Sequence, residues 1–296
     1  MKNCVCCCHP FTGSNQAYNT CRYCGHAHST YPPQQIADPS DHHVAHHKLQ
    51  WDFSELKYRN FYLPLLHTIG IPPPDGTLLD IGCANGAFAA AARTFGWNRV
   101  QGIEPRIKSA AHARQHTDAV FEGPLERFKS SHRFDVITLW QVIEHVWSLD
   151  PFMRKLCMFL KPEGKIVVST PNFLSLGRRL LGDRWPAWTP EVHYHLFTPS
   201  SLKKLFDQYH LCSVSTCTQD ILPGTLKRIL PTGLHYRSSL SPGETGRFIH
   251  ATSSRNLKVL LFLRGVLNHF LRRTNLGDDI YATFAFSPLT KRKQLF

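Results

Sequence analysis

The sequence predicts an α/β protein, a seven-stranded sheet with helices on both faces, preceded by a small cysteine-rich module. Three observations lead there. From Thr77 onward, strand-like and helix-like stretches alternate at regular spacing. The stretch Thr77 to Phe88, TLLDIGCANGAF, reads as a strand, a glycine turn and a helix. Residues 1–30 differ in composition and hold two Cys-x-x-Cys pairs.

In chain order, the module comes first. Cys4-x-x-Cys7 and Cys21-x-x-Cys24 are separated by 13 residues. Each pair turns two thiolates toward one centre, and two pairs complete a tetrahedral S4 site, so structural zinc on Cys4, Cys7, Cys21 and Cys24 is expected. Cys6, Cys8 and His9 crowd the first pair and compete as ligands. No βαβ unit surrounds either pair, which disfavours a redox role. Residues 31–74 follow as linker and N-terminal helices. His42-His43 and His46-His47 fit a solvated helix better than a second metal site. Trp51, Phe53, Leu56, Phe61, Leu63, Leu65 and Leu66 sit mostly at helical spacing, and Ile71 to Gly76 is a proline-rich turn.

The main domain is expected over 75–296. Strand 77–82 precedes helix 86–95, and strand 99–104 precedes helix 106–116. A short strand, 118–121, leads into the loop 122–128. Strand 134–140, helix 150–160, the turn 161–164 and strand 165–170 follow. Strands separated by helices at this spacing imply a parallel sheet. Helix 199–209 opens with Thr198 as N-cap and Pro199 at the first position. Strands 211–217 and 280–286 pair like a hairpin at one edge and complete seven. The insertion 220–278 is too long for a hairpin loop. Within it, Leu257 to Leu271 is apolar and helical, flanked by Arg255, Lys258, Arg272 and Arg273. Residues 255–273 therefore suit peripheral membrane contact or an apolar substrate, against the plainer reading of a helix packed on the sheet or on a second subunit.

Bulk properties narrow the class. Residues 1–170 hold 17 Lys+Arg and 14 Asp+Glu, whereas 171–296 hold 17 and 7, so most of the net charge of +13 lies in the second part. That favours an anionic partner, or merely a solubilising surface. Met1 to Pro10 has no apolar core of signal-peptide length and no run of about 18 apolar residues exists, and ten cysteines then suit metal binding or free thiols. A cytoplasmic protein is expected.

The chemistry lies in the glycine turn. A dinucleotide fingerprint needs GxGxxG to seat a pyrophosphate on the helix end. Here the turn reads Gly82-Cys83-Ala84-Asn85-Gly86, with Ala87 and Phe88 after it, and Asp80 would repel a pyrophosphate. The same carboxylate suits an ammonium group. Glu104 closes the second strand, where it can accept two ribose hydroxyls. An amino-acid ammonium, a sulfonium and a ribose together describe S-adenosylmethionine (SAM).

The chain resembles the class I SAM-dependent methyltransferases, and within them the small-molecule branch of ubiquinone-biosynthesis type. The resemblance rests on LLDIGCANGAF, on GIEP at Gly102 to Pro105 and on FDVITLWQVIEHV at Phe134 to Val146. LKPEGKIVVSTPN at Leu160 to Asn172 and HYHLFTPSSLKKLF at His193 to Phe206 extend it. It covers about residues 75–215 and implies a Rossmann-like methyltransferase sheet. A CxxC…CxxC segment before such a domain is also similar to some natural-product and sugar methyltransferases. By position it implies that Asp80, Gly82, Ala84 and Gly86 line the methionine end of SAM, that Glu104 holds the ribose, and that Pro105 packs by the adenine. Leu125 and Glu126 fall on the adenine-side loop, where many relatives carry an Asp that this chain lacks. Trp140 and Gln141 should face the sulfonium and the acceptor.

Methyl transfer is an in-line displacement that needs alignment and a base if the acceptor carries a proton. Candidate bases are His193, His145, His195 and Glu144, with His193 favoured as the family-pattern histidine. Relatives of the ubiquinone type carry Glu-x-x-Glu-His, associated with a divalent metal. Here Gln141 replaces the first carboxylate before Glu144-His145. Trp185, Trp188, Arg178 and Arg179 follow the fifth strand of the motif, where they either meet a ring or phosphate or simply pack. The expected acceptor is a small molecule methylated at oxygen, nitrogen or carbon: a sugar, a natural product, or an anionic or lipid-linked intermediate. The fourth-strand end LWQV lacks the Asp/Asn-Pro-Pro-aromatic motif of base N-methyltransferases, so nucleic acid is not expected. RNA or protein methylation and non-catalytic SAM binding are the alternatives.

Overall fold

The computed structural model describes residues 3–33, 62–70, 72–73, 75–220 and 266–288. The histidine pairs at 42–47, the first part of the predicted N-terminal helices and residues 255–265 of the predicted basic helix lie outside them.

The first 33 residues form three short strands, β1 (Gly13–Ser14), β2 (Tyr18–Thr20) and β3 (Ala27–Ser29). Helix α1 (Leu63–Ile69) follows, ending at Gly70. The alternating part then runs β4 (Thr77–Ile81), α2 (Ala87–Thr94), β5 (Arg99–Glu104), α3 (Ile107–Ala113), β6 (Ala119–Glu122), β7 (Phe134–Trp140), α4 (Leu149–Phe159), β8 (Leu160–Pro171) and α5 (Leu176–Leu181). β9 (His195–Leu196), α6 (Pro199–Asp207), β10 (Leu211–Gln219), a helix over 266–274 and β11 (Asp279–Phe286) complete it.

The main sheet has seven strands in the order β10-β11-β8-β7-β4-β5-β6. β8, β7, β4, β5 and β6 run parallel, and β10 and β11 add an antiparallel edge. After β4 the chain moves to β5 and β6 on one side, then crosses to β7 on the other. The order reverses between β4 and β7, so a crevice opens beyond their carboxyl ends, the usual ligand position in open α/β sheets.

Local sequence explains the helices around that crevice. α2 is alanine-rich, and Ala89, Ala91 and Ala92 are fully buried, so it lies close against the sheet. α4 buries Leu149, Phe152, Met153, Leu156 and Phe159, one stripe at helical spacing. α6 carries the expected start: Thr198 accepts from the Ser201 backbone, and the Ser201 hydroxyl accepts from the Thr198 N–H. One expected break is absent. Residues 161–164 do not separate helix from strand; β8 starts at Leu160 opposite Phe134, passes through a register shift, and resumes with Lys165 opposite Val136. That excursion is a bulge within one strand rather than a turn before it.

A second sheet, β1-β2-β3-β9, joins the N-terminal segment to the main chain, with Ala27 opposite Leu196 and His28 opposite His195. A buried apolar cluster of Tyr18, Ala27, Leu181, Trp185, Ala187 and Leu196 lies beneath it.

Candidate active site

The glycine turn occupies the β4 side of the crevice. Gly82 (φ +71°), Ala84 (φ +48°) and Gly86 (φ +83°) are all left-handed. A Cβ on Gly86 would stand 2.8 Å from the Ala113 Cα, so only glycine lets α2 start against α3. The Gly82 and Cys83 N–H groups both donate to the Ile103 carbonyl, at 2.7 and 3.1 Å, which ties the turn to β5.

Asp80 is buried one residue before the strand ends and sits level with Gly102 on β5 and Thr138 on β7. The Thr138 hydroxyl donates to it at 2.7 Å. Burial pushes its carboxyl up to about 7, partly offset by that hydrogen bond and reinforced by Glu104. Glu104, also buried, joins three backbone segments. One oxygen accepts from the Ala84 N–H at 2.9 Å. The other accepts from the Arg106 N–H at 3.0 Å and its guanidinium at 2.8 Å. The carboxylate expected to meet the ribose thus also fixes the turn and the entry to α3. Pro105 is exposed beside it. Leu125 opens a short 3-10 turn, Leu125–Arg127, with its side chain in the main core, so only its backbone is available to a ligand; Glu126 is exposed.

Across the crevice, Trp140 ends β7. Its ring meets Phe88 edge-on at 5.1 Å, and its indole N–H is buried without a hydrogen bond. Gln141 takes a left-handed conformation (φ +55°). Its amide donates at 3.3 Å to both the Ser169 hydroxyl and the Asp279 carboxylate. Asp279 starts β11 and is buried, and its carboxyl is raised well above the usual range by burial and by Asp220, Asp278 and Glu144. Sequence reasoning missed it, because β11 reaches this edge only after the insertion.

Glu144, His145 and His193 converge at the same end, one ligand atom of each lying within 4.8 Å of the others. Glu144 is buried; one oxygen accepts from Thr170 at 2.9 Å and the other accepts no hydrogen bond. Burial lifts its carboxyl to about 8. His145 Nδ1 lies 2.8 Å from the Val192 carbonyl, and His193 Nδ1 lies 2.8 Å from the Ala187 carbonyl. A carbonyl only accepts, so both rings carry the proton on Nδ1 and leave Nε2 as the basic nitrogen when neutral. One carboxylate and two imidazoles suit either proton transfer or a borderline divalent cation. Gln141 is not part of this grouping, and the third group comes instead from the loop that carries His193.

His195 is placed elsewhere. It is buried with His26 and His28, at 3.0 and 3.4 Å, and burial lowers it to about 3. It belongs to the seam between the two sheets, outside the grouping of Glu144, His145 and His193. Trp185 is likewise buried in the apolar cluster of the second sheet. The Arg178 guanidinium lies 4.1 Å from the Trp188 ring centre and 5.4 Å from that of Phe173, and pairs with Asp183 at 3.5 Å. Its packing is internal, while Arg179 is exposed.

The four predicted zinc ligands come together. Cys4 and Cys24 sulfurs are 3.6 Å apart, Cys7 and Cys21 sulfurs 3.5 Å, and all four lie within 4.8 Å. Tetrahedral Zn–S bonds of about 2.3 Å place sulfurs about 3.8 Å apart, so the set fits such an ion. The two pairs also share one turn. The N–H after each, Cys8 and Gly25, donates to the carbonyl of its first cysteine at 2.8 and 2.7 Å, and both residues are left-handed. Cys8 is exposed and His9 stacks on Tyr23 at 4.3 Å. Cys4, Cys6 and His26 form an overlapping second grouping.

A family profile described as a methyltransferase domain matches residues 51–215. The chain belongs to the methyltransferase domain family. Among curated proteins, the ubiquinone biosynthesis O-methyltransferase of Rickettsia canadensis is 31% identical over 100 residues, covering 32% of this chain and 42% of that protein. That of Bradyrhizobium diazoefficiens is 29% identical over 139 residues, covering 43% and 54%. The chain thus spans about half the length of these relatives or less. Among solved structures, a SAM-dependent methyltransferase from Archaeoglobus fulgidus superposes with a TM-score of 0.50, covering 77% of this chain and 93% of that one. At 16% identity this shows the shared fold. The match from residue 51 to 215 includes the glycine turn, Glu104, Trp140, Glu144 and His193, and leaves the cysteine segment outside.

Proposed function

We propose that this methyltransferase moves the methyl group of S-adenosylmethionine to a small-molecule acceptor. The observation that carries the reading is the buried Asp80 under a left-handed glycine turn, joined through Ala84 to Glu104 at the switch point of the sheet. A carboxylate there repels a pyrophosphate and favours an ammonium. The turn offers bare backbone for close approach, and Glu104 lies one strand away for the ribose. SAM supplies an electrophilic methyl on its sulfonium. Asp80, the turn and Glu104 would hold the donor while an oxygen, nitrogen or carbon nucleophile of the acceptor takes the methyl group, leaving S-adenosylhomocysteine. The acceptor proton passes to His193 Nε2, with His145 and Glu144 beside it to hold the acceptor or the resulting charge. Trp140 and Gln141 wall the reacting end.

Cys4, Cys7, Cys21 and Cys24 hold a structural zinc, consistent with a reducing, cytoplasmic setting in which the ten cysteines stay unbridged. Calorimetry with S-adenosylhomocysteine tests the donor assignment. Wild-type protein should bind one equivalent, and Glu104→Ala should weaken binding by about thirtyfold or more, through loss of charge-assisted hydrogen bonds. Wild-type protein that takes up no S-adenosylhomocysteine would sink the reading.

The acceptor is anionic or lipid-linked. On the helix 266–274, Val266 and Phe270 are 55% and 54% exposed while Leu271 faces inward, and Arg272 and Arg273 follow directly. An apolar face edged by arginines suits an anionic lipid surface. The protein should sediment with vesicles containing phosphatidylglycerol, and Val266→Glu with Phe270→Glu should reduce the bound fraction several-fold. Equal sedimentation of both proteins would exclude this face.

A further inference from the structure

We infer that the N-terminal cysteine segment is part of the catalytic apparatus, and that Tyr18 is a positioning residue for His193. The inference rests on the reading in which His193 serves the acceptor.

The hydrogen-bond accounting of the loop that carries His193 supports it. Residues 187–194 lie between α5 and β9. Within the loop, Thr189 N–H donates to Ala187, and Val192 and His193 N–H both donate to Thr189, which makes one tight turn. The His193 side chain shares the Ala187 carbonyl, and the His145 side chain takes that of Val192. Five carbonyls remain, and of these the ones of Pro190, His193 and Tyr194 face the N-terminal segment. All three are met from the first 30 residues. The Ser29 hydroxyl donates to Pro190 at 2.7 Å, the Tyr18 hydroxyl to His193 at 3.0 Å, and the Ser29 N–H to Tyr194 at 2.8 Å. Buried carbonyls left unmet cost about as much as a lost hydrogen bond each, so this loop is not self-sufficient within the methyltransferase domain.

Tyr18 is the central link. It is fully buried with Ala187, Trp185 and Leu196, and the Trp188 ring lies 4.6 Å away. Burial, with Glu191 nearby, pushes its phenol well above the usual range, so it remains a donor at any working pH. It sits on β2 opposite Ser29, so the two donors share one rung. Cys21 follows β2 directly, and Cys24 meets α6 through its carbonyl, which accepts from Thr198 at 2.7 Å. β3 pairs with β9 two residues beyond His193. The cysteine centre, β2 and β3, and the His193 loop thus form one continuous hydrogen-bonded path.

Tyr18→Phe removes one oxygen from a packed site and spares the cysteines. Hydrogen exchange and the Cε1–H resonance of His193, assigned by its loss in His193→Gln, should be compared in the full chain, with S-adenosylhomocysteine binding measured alongside. In Tyr18→Phe, amides 189–195 should exchange about tenfold faster, as expected for one lost buried hydrogen bond, while amides 77–104 do not change. The Cε1–H resonance of His193 should shift, metal content should stay at the wild-type level, and S-adenosylhomocysteine affinity should stay within about twofold of wild type. Stripping the metal from wild-type protein should accelerate the same amides further. Unchanged exchange at 189–195 and an unmoved His193 Cε1–H resonance would overturn the role of Tyr18. So would acceleration spread equally over 77–104. Failure of wild-type protein to bind S-adenosylhomocysteine would instead remove the underlying donor reading and leave the loop measurement intact.

Discussion

S-adenosylhomocysteine should bind about tenfold more tightly at pH 6.5 than at pH 5.5, and its affinity should level off above pH 7. The expectation follows from Asp80. In the free protein, burial holds this carboxyl near 7 instead of 3.8, so it is neutral through mildly acidic pH. A bound ammonium favours the carboxylate, and binding therefore expels the proton. Below the free-protein pKa that expulsion costs about tenfold in affinity per pH unit; above it there is no proton to expel. The stability sign runs the same way. Because the folded pKa is raised, the folded state holds the proton more tightly than the unfolded chain. The contribution of Asp80 to stability is greatest at low pH and declines as pH rises from about 4 to about 7. Glu144, lifted from 4.5 to about 8, extends the decline upward. Ligand should then raise the melting temperature more at pH 7.5 than at pH 5.5. Titrations at pH 6 in two buffers of different ionisation heat should register release of close to one proton. Asp80→Asn should abolish both the release and the slope, and bind about 100-fold more weakly at pH 8, the scale of a lost buried charge pair. A flat affinity from pH 5.5 to 7.5 in the wild-type protein would show that Asp80 does not face the ligand ammonium.

The parts of this site that could be read from sequence are those that lie on contiguous segments. The strand, turn and helix from Thr77 to Thr94 follow from an apolar run, two glycines and an alanine-rich stretch. Thr198 and Pro199 announce α6 for the same local reason. Glu104 is legible because β5 is short and the acidic residue ends it. The seam between the two sheets was not, since Ala27 and Leu196, like Tyr18 and His193, are far apart in the chain and carry no shared period. The contacts of His195 with His26 and His28 were equally hidden, because nothing in His193-Tyr194-His195 signals two histidines folding against it from the first 30 residues. Asp279 was hidden by the insertion that separates β11 from the strands it completes. The excursion at 161–164 resembled a turn because Pro162 and Gly164 punctuate it, yet flanking pairs at Phe134 and Val136 hold both ends in one sheet.

Replacing Cys21 by serine should reduce bound zinc from about one per chain to near zero, and Cys6→Ser should leave it in place. The pair of variants separates the two overlapping groupings, because Cys21 belongs only to the four-thiol set and Cys6 only to the set with His26. Geometry favours the former. Its two Cys-x-x-Cys turns have matching hydrogen bonds and matching left-handed exits at Cys8 and Gly25, which aims one sulfur pair at the other. A Cβ on Gly25 would meet the Thr198 methyl at 2.7 Å, so the second turn is also fitted against the start of α6. Three of the four thiols are buried, and without an ion only weak thiol contacts, Cys4 to Cys24 at 3.6 Å and Cys7 to Cys21 at 3.5 Å, would hold them together. On the proposed zinc assignment, metal binding and local folding would be one event, and loss of the ion should lower the melting temperature by about 10 °C or more. The loss should propagate along β2 and β3 into residues 187–198, which depend on Tyr18 and Ser29 for their carbonyl partners. Elemental analysis and thermal unfolding of the two variants decide the matter. Zinc retained in Cys21→Ser and lost in Cys6→Ser would move the centre to Cys4, Cys6 and His26, and would bring the metal up against the histidine seam, with His195 only 3.0 Å from His26.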